Sequence, residues 1–194
     1  MIDNNIFLTI VVSVYNEELS LLKFHKELSN EINKNDFTTE ILYVNDGSFD
    51  SSAKILENIS SSEKSVKIIS FSRNYGHEAA MIAGIDNAVG TYIICLDADL
   101  QHPPSLISKM VAKAKEGADL VLMKRQTRKD GNIFLRLFSK LFYKLINSIS
   151  PFNFENNASD FFLISNKISN VLRNDFRERI RFLRGYIQLV GFKK

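Results

Sequence analysis

The sequence is short of the residues that mark disulfide-rich or low-complexity proteins. Its 194 residues include one cysteine, three prolines, eight glycines and no tryptophan, whereas 45% are hydrophobic. One cysteine cannot form an internal disulfide, so a reducing compartment is expected. Cys95 lies in an apolar run, where we expect a small buried hydrophobe rather than a nucleophile. Length and composition together predict one globular domain with a sizeable core.

The sequence also lacks an export signal and a plain membrane span. Its N-terminus has neither the basic start nor the small-residue cleavage site of a signal peptide. The apolar pattern over 132–149 is interrupted by Arg136, Lys140 and Lys144, whereas a span needs about 20 apolar residues. This pattern predicts an amphipathic helix. Such a helix either packs on the domain or lies in a membrane interface with its cations toward anionic headgroups.

Charge is divided unequally along the chain. Residues 1–100 hold 7 Lys and Arg against 15 Asp and Glu, a balance of −8, whereas residues 101–194 hold 18 against 7, a balance of +11, which gives the net +3. The basic half predicts contact with phosphate, lipid headgroup or nucleic acid. The alternative is a basic surface that keeps the protein soluble.

Short apolar runs alternate with helical patterns over the first 125 residues. Strands are predicted at 6–14, 40–45, 66–72, 91–97 and 119–125, and helices at 17–33, 50–60, 77–88 and from His102 to about Lys115. This alternation predicts an α/β fold with a mostly parallel sheet and helices on both faces. Ligands of such sheets bind at the carboxyl ends of the strands. "YNEE", "NDGS" and "DADLQ" all fall there.

Asp97 and Asp99 end the fourth predicted strand. Side chains two apart point to one side of an extended chain, so both carboxylates, with Gln101 after them, suit a divalent cation such as Mg²⁺ or Mn²⁺. Two alternatives remain open. One is the acid–base pair of a glycoside hydrolase, which needs a wider separation, and the other is a pair of solvated acids.

Other polar residues lie at the same predicted edge. Asp46 follows the second strand in an Asp-Gly turn, where its carboxylate suits a base edge or a ribose; alternatively it forms the turn and caps the next helix. Glu17 follows the first strand and is placed to reach a ligand. His102 precedes two prolines, which suit a first helical turn, and is more often structural than a metal ligand.

Seven segments together resemble one enzyme family. They are "VYNEE", "ILYVNDGSFDSS", "FSRNYGHEAAMIAGIDNAVG", "CLDADLQHPP", "LFYKLINSIS", "ENNASDFFLIS" and "RFLRGYIQLVGF". In this order they resemble family 2 glycosyltransferases of GT-A (Rossmann-like) fold, in the dolichol-phosphate mannosyltransferase-like or polyprenyl-phosphate (bactoprenol) branch. The resemblance runs from about Ile6 to the end of the chain.

The resemblance implies a role for each matching residue. Asp97, Asp99 and Gln101 match the metal and diphosphate site, and Tyr15, Glu17 and Asp46 match the cradle for base and ribose. The expected catalytic residues are Asp160, Asp99 and Arg125. The expected ligands of the acceptor phosphate are Arg125, Arg128 and Arg136.

The resemblance also implies a reaction and a setting. The expected enzyme is an inverting, Mg²⁺- or Mn²⁺-dependent hexosyltransferase that moves a sugar from a nucleotide sugar to a polyprenyl phosphate at the cytoplasmic membrane face. As the donor, a UDP-sugar is favoured over GDP-mannose. The resemblance is also compatible with assembly into a homo-oligomer. Residues 1–125 would form the nucleotide-sugar-binding core, and 126–194 the acceptor-side, membrane-proximal segment of the same domain.

The sequence departs from the family pattern in three places. Ser13 and Val14 stand where many relatives have a proline, and Asn45 stands where many have an acid. The chain ends at "VGFKK", whereas relatives usually continue into an arginine-bearing acceptor segment and transmembrane helices. We therefore expect the family's transmembrane region to be absent from this chain.

Three other functions compete with this one. The first keeps the fold but uses a soluble glycan or protein acceptor. The second is nucleic-acid binding by the basic stripe of Arg173, Arg177, Arg181 and Arg184; it lacks a binding motif, and acids in the first half would repel a polyanion. The third, a nucleotidyltransferase, lacks a glycine-rich triphosphate loop with a basic residue at the first strand.

Overall fold

The computed structural model describes residues 6–124, 158–176 and 183–193. The predicted amphipathic helix at 132–149 lies outside these ranges, and so do the predicted phosphate ligands Arg125, Arg128 and Arg136. The proposed division at residue 125 stays a prediction.

Six strands and six α-helices lie within the described ranges. The strands are β1 (Leu8–Val14), β2 (Thr39–Asn45), β3 (Val66–Ser70), β4 (Tyr92–Asp97), β5 (Leu120–Lys124) and β6 (Ala158–Ser165). The helices are α1 (Leu21–Ile32), α2 (Ser52–Ser62), α3 (His77–Asn87), α4 (Ile107–Lys115), α5 (Asn166–Asp175) and α6 (Leu183–Leu189), with a 3₁₀ turn at Pro104–Leu106 before α4.

The strands form one sheet in the order β3-β2-β1-β4-β6-β5. The first four are mutually parallel, whereas β6 runs antiparallel to both β4 and β5. The predicted mostly parallel α/β sheet is confirmed. Strand β6 was not predicted, although "DFFLIS" has the aromatic and β-branched content of a buried strand.

Two hydrophobic cores cover the two faces of the sheet. One contains Leu8, Ile10 and Val12 of β1 and packs under α1, α2 and α4. The other contains Val11 of β1 and Val44 of β2 and packs under α3, α5 and α6. Every residue of β1 is buried, which explains why apolar residues occupy both of its faces, as at Ile10, Val11 and Val12.

Two helix starts differ from the prediction. Residues 17–20 form a turn, with the amides of Ser20 and Leu21 both donating to the Glu17 carbonyl at 3.1 and 2.9 Å, so α1 begins at Leu21 rather than at residue 17. The helix expected from His102 begins only at Pro104. Each residue before a proline is pushed out of the helical region, and Pro103 accordingly has an extended ψ of 122°.

Helix α3 is fixed to its surroundings along its length. At Gly84 an added Cβ would lie 2.1 Å from a methyl carbon of Val11, so only glycine permits this approach to β1. At its carboxyl end, the guanidinium of Arg173 on α5 donates to the carbonyls of Ile85 and Ala88 at 2.5 and 2.6 Å. Arg173 is therefore used inside the fold. This contact argues against the basic stripe that was considered for nucleic-acid binding, because Arg173 was one of its members. Arg177 and Arg181, two other members, lie outside the described ranges.

The opposite, amino-terminal edge of the sheet is held by Glu40, which is 3% exposed. Its Oε1 atom accepts from the Thr9 hydroxyl at 2.6 Å and the Val89 amide at 3.2 Å, and its Oε2 atom accepts from Lys67 at 2.7 Å. Burial acts to raise the pKa of Glu40, but these donors hold it below its usual value. A lowered pKa means that the carboxylate stabilises the fold above the unfolded pKa and loses this effect as pH falls through the folded pKa.

Replacing Glu40 by glutamine should therefore lower the free energy of unfolding at neutral pH more than at acid pH. At pH 7 we expect Glu40→Gln to lower the free energy of unfolding by about 1–3 kcal/mol, because a charged acceptor of three donors is lost. The difference from wild type should shrink as pH falls below about 4.3, the usual glutamate pKa. Urea unfolding from pH 7 to pH 3 measures this. Glu116→Gln, at an exposed surface pair, is the control, and an equal loss in both variants would contradict it.

Candidate active site at the carboxyl edge of the sheet

Asp97, the last residue of β4, joins three segments of the chain. Its Oδ1 atom accepts a hydrogen bond from the Ser13 hydroxyl of β1 at 2.5 Å and lies 2.6 Å from Nε2 of His77, the first residue of α3. Its Oδ2 atom lies 3.9 Å from Nδ1 of His102. Strand β1, helix α3 and the turn after β4 therefore converge on one carboxylate.

The surroundings of Asp97 favour its ionised form. Burial acts to raise its pKa, but the hydrogen bond and charge of His77, the Ser13 hydroxyl and the charge of His102 hold the pKa below its usual value. Asp97 is therefore a carboxylate at neutral pH. Cys95, two residues earlier, has its pKa raised by complete burial and by the charges of Asp97 and Asp160. This confirms Cys95 as a buried hydrophobe.

Strand β6 brings Asp160 to the same place. The antiparallel register ends with Cys95 paired to Phe162, and Asp97 and Asp160 each lie two residues beyond this pair on their strands. One ligand atom from each of His77, Asp97 and Asp160 lies within 4.8 Å of the other two. Because β6 is antiparallel to β4, its first residues rather than its last lie at the carboxyl end of β4.

These three side chains fit a divalent cation. Metal–ligand bonds of about 2.0–2.3 Å put two ligand atoms of one ion at most about 4.6 Å apart, and the three atoms here lie within 4.8 Å of one another. Carboxylate oxygens and imidazole nitrogen are both ordinary ligands of divalent metals. Among the described residues, this is the group of His, Cys, Asp and Glu side chains that meets the spacing.

His102 supports this group from behind. Its side chain is buried, and Nε2 lies 2.6 Å from the Ser159 hydroxyl, next to Asp160. The ring also packs at 5.6 Å from that of Phe161. His102 therefore connects the turn after β4 to the start of β6, which agrees with the prediction that it is structural.

Asp99 and Gln101 stand in a turn rather than in a strand. The extended chain ends at Asp97, Leu100 has a φ of 61°, and the Asp99 carboxylate accepts from the Gln101 amide at 2.9 Å. Among the described residues, the side chains spaced to hold one ion are His77, Asp97 and Asp160, and Asp99 is not one of them. Coordination of one ion by Asp97, Asp99 and Gln101 stays a prediction.

Asp46 holds the loop that precedes α3. Its side chain is buried, and its two oxygens accept from the amides of Tyr75 at 2.7 Å and Gly76 at 2.9 Å. Gly76 has a φ of 98°, which favours glycine. Asp46 thus fixes the residue before His77 and does not cap α2, whose preceding cap is Ser51. Its predicted contact with base or ribose stays a prediction.

Glu17, like Asp46, makes hydrogen bonds that hold neighbouring loops. Its amide donates to the Ser52 hydroxyl at 2.8 Å, and its carboxylate accepts from the Ser20 hydroxyl. Both contacts lie within the turns that join β1 to α1 and β2 to α2. The expected role of Glu17 toward a nucleotide stays a prediction.

Exposed aromatic residues lie in the loops that follow β1, β2 and β3 at the same edge of the sheet. Tyr15 is 42% exposed and meets Phe49, which is 82% exposed, edge-to-face at 6.2 Å. The guanidinium of Arg73 lies 4.3 Å above the ring of Tyr75, which is also exposed. Planar rings and a guanidinium suit stacking on a nucleobase. Of these residues, only Tyr15 was predicted.

His77 is the site residue that the sequence did not indicate. Its position carried a signal, because it opens the helix after β3 and so lies at the carboxyl edge of a parallel sheet. The strand pattern gave no means of knowing that α3 brings it back toward β4.

A parallel sheet with an acidic group at its carboxyl edge is the arrangement of GT-A glycosyltransferases, and comparison with known proteins agrees. The family model "Glycosyl transferase family 2" matches residues 9–173. The chain belongs to this family.

Two curated relatives extend the similarity over nearly the whole chain. The "Uncharacterized glycosyltransferase YkcC" of Bacillus subtilis (strain 168) is 39% identical over 186 residues, covering 96% of this chain and 57% of the relative. The "Prophage bactoprenol glucosyl transferase homolog" of Escherichia coli (strain K12) is 37% identical over 186 residues, covering 96% and 60%. The chain thus spans less than two thirds of the length of these relatives.

A solved structure supports the fold assignment. Glucosyl-3-phosphoglycerate synthase of Mycobacterium tuberculosis, in complex with Mn²⁺, UDP and glucosyl-3-phosphoglycerate, matches with a TM-score of 0.57 and 18% identity, covering 84% of this chain and 57% of that one. The similarity confirms the predicted GT-A fold. Over the described residues, the helices are too short or too polar to cross a bilayer.

Replacing Asp46 should loosen the loop that carries His77. An asparagine keeps one acceptor but turns an NH₂ group toward the second amide, so Asp46→Asn should cost about 1–3 kcal/mol. Amide hydrogen exchange at Tyr75 and Gly76 should accelerate. Asp50→Asn, which removes a carboxylate that accepts two amides nearer the surface, is the control. Unchanged exchange at Tyr75 and Gly76 would show that Asp46 does not hold this loop.

Proposed function

We propose that the chain is the catalytic domain of an inverting, metal-dependent glycosyltransferase. Its donor is a nucleotide sugar, with UDP-sugar favoured and GDP-mannose as the other candidate. Its acceptor is a polyprenyl phosphate, undecaprenyl or dolichyl, at the cytoplasmic face of the membrane. Such an enzyme supplies lipid-linked sugar for cell envelope glycans.

The observation that carries this proposal is the convergence of His77, Asp97 and Asp160 at the carboxyl edge of the sheet. Three segments far apart in sequence place these side chains together beside exposed aromatic rings. A divalent cation held there would stabilise the departing nucleoside diphosphate. Family membership supports a glycosyl transfer, and the name of the Escherichia coli relative supports a polyprenyl-phosphate acceptor.

The exposed aromatic residues support a nucleotide donor. Tyr15 and Phe49 offer ring faces and edges, and Arg73 with Tyr75 offers a cation stacked on a ring. Tyr15, Glu17 and Asp46 would form the cradle for base and ribose, with Gln101 toward the diphosphate. The UDP in the fold relative is consistent with the choice of UDP over GDP.

The acceptor needs placement more than activation. A phosphate monoester has its second pKa near 6, so its oxygen is already anionic at neutral pH and needs little help from a base. Asp160 and Asp99 would orient the sugar and the diphosphate, while Arg125, Arg128 and Arg136 would bind the acceptor phosphate. One in-line displacement at the anomeric carbon inverts its configuration and needs no covalent enzyme intermediate.

Asp97→Asn should abolish most of the transfer. With UDP-[¹⁴C]glucose, Mn²⁺ and undecaprenyl phosphate in detergent micelles, we expect the rate of lipid-linked sugar formation to fall at least about 100-fold, because the carboxylate that would hold the cation is lost, and the cation is what stabilises the leaving group. Asp36→Asn is the matched control, since Asp36 is exposed and precedes β2 at the opposite edge. Thermal unfolding of both variants separates lost chemistry from lost folding.

Full activity of a folded Asp97→Asn protein would refute the proposed centre. A soluble glycan acceptor, the competing function, would show itself as transfer that is independent of undecaprenyl phosphate, with no binding to anionic phospholipid vesicles.

The donor base can be measured directly. In calorimetric titrations with UDP and GDP, each with and without Mn²⁺, we expect UDP to bind only when Mn²⁺ is present and GDP to bind at least about tenfold more weakly. Tighter binding of GDP would replace UDP-sugar by GDP-mannose in the proposal. Equal binding of UDP with and without the metal would contradict the metal site.

A further inference from the structure

We propose that His77 is a nitrogen ligand of the catalytic cation, and that His77, Asp97 and Asp160 together select a transition-metal ion of the Mn²⁺ type over Mg²⁺. This inference rests on the proposed function, because it concerns the ion of the same site. It assigns a ligand outside the "DADLQ" segment and changes the role of Asp160.

The position of His77 is fixed by the protein before any ion binds. Gly76 precedes it with a φ of 98°, and the amide of Gly76 is held by buried Asp46 at 2.9 Å. The other end of α3 is held by Arg173. Nε2 of His77 already lies 2.6 Å from Oδ1 of Asp97, so little movement would be needed for both atoms to bind one ion.

The donor set decides which metal is preferred. Mg²⁺ is a hard cation that binds oxygen at nearly ideal octahedral geometry and dehydrates reluctantly. Imidazole nitrogen binds first-row transition metals better, and carboxylates accept Mn²⁺ readily. One imidazole with two carboxylates therefore favours Mn²⁺ over Mg²⁺, and it leaves further coordination positions for diphosphate oxygens.

The two carboxylates come from neighbouring strands. Asp97 and Asp160 each lie two residues beyond the last β4–β6 pair, Cys95 with Phe162, so the two strands bring the carboxylates together. Together they balance the charge of a divalent ion. Asp160 would then bind the metal rather than act as a base, which agrees with an acceptor that is already ionised.

Groups behind these ligands fix their orientation. The Ser13 hydroxyl donates to Asp97 at 2.5 Å, and His102 lies between Asp97 and the Ser159 hydroxyl. Hydrogen bonds from such outer groups orient metal ligands and tune their affinity. His102 is buried against Phe161 and serves here as a support, so the proposal gives the two imidazoles different functions.

The test uses Mn²⁺ bound to the 194-residue chain, free of any histidine tag, and pulsed EPR. An imidazole ligand gives ¹⁴N modulation of the electron spin echo, which carboxylate and water ligands do not. The chain has three histidines, so single variants assign the signal completely. We expect modulation in wild type, in His25→Gln and in His102→Gln, and its loss in His77→Gln. Labelling wild type with ¹⁵N-histidine should change the modulation, and this arm does not depend on a variant folding.

Affinities give a second readout. Titration of free Mn²⁺ by its EPR signal should show that His77→Gln weakens Mn²⁺ binding at least about tenfold. The preference for Mn²⁺ over Mg²⁺, at least about tenfold in wild type, should decrease in the same variant. His25→Gln, whose histidine lies against Tyr43 and Glu63 away from the site, should leave both values unchanged.

Three results would overturn the inference. They are Mn²⁺ binding without nitrogen modulation in wild type, modulation that survives in His77→Gln, and no Mn²⁺ binding at all. The first two leave the proposed glycosyl transfer intact. Nitrogen modulation assigned to His77 in a protein without transferase activity would support the metal site while refuting the proposed function, so the two failures are distinguishable.

Discussion

The complete burial of β1 is the constraint on which the site depends. Helices cover both faces of the sheet, so the central strands have no free surface along their length, and every position in β1 is taken up by packing. Charged side chains can therefore reach other polar groups or solvent only near the ends of these strands. The two ends serve different purposes: Glu40 holds the amino edge together, whereas Asp97 gathers side chains at the carboxyl edge.

The site is held by backbone contacts as much as by its reactive side chains. Asp46, Glu17 and Ser52 bind amides or hydroxyls of neighbouring loops rather than projecting into solvent. The loops after β1, β2 and β3 are thereby fixed to one another. Ligands that are rigidly placed lose little conformational freedom on binding, which is the physical basis of preorganised affinity.

Much of the fold could be predicted because its signals are local. Five strands, the alternation with helices and the carboxyl-edge location all follow from apolar runs and the turns between them, and Asp97 followed from its place at a strand end. His77 and β6 could not be placed in this way. Their positions depend on packing between distant segments, which no local periodicity encodes. The same limit applies to Asp99, because a turn at Leu100 replaced the extended chain that the pattern suggested.

Strand β6 lies antiparallel beside β5, and this pairing affects how freely the connection between the two strands can vary in length. Lys124 at the end of β5 and Ala158 at the start of β6 are paired neighbours, so the chain leaves the sheet and re-enters it at adjoining positions, close to Asp160. The free energy of closing a connection rises by only about 0.6 kcal/mol for each doubling of its length. A change in the length of that connection would therefore cost the sheet little free energy, because both of its ends stay paired in place.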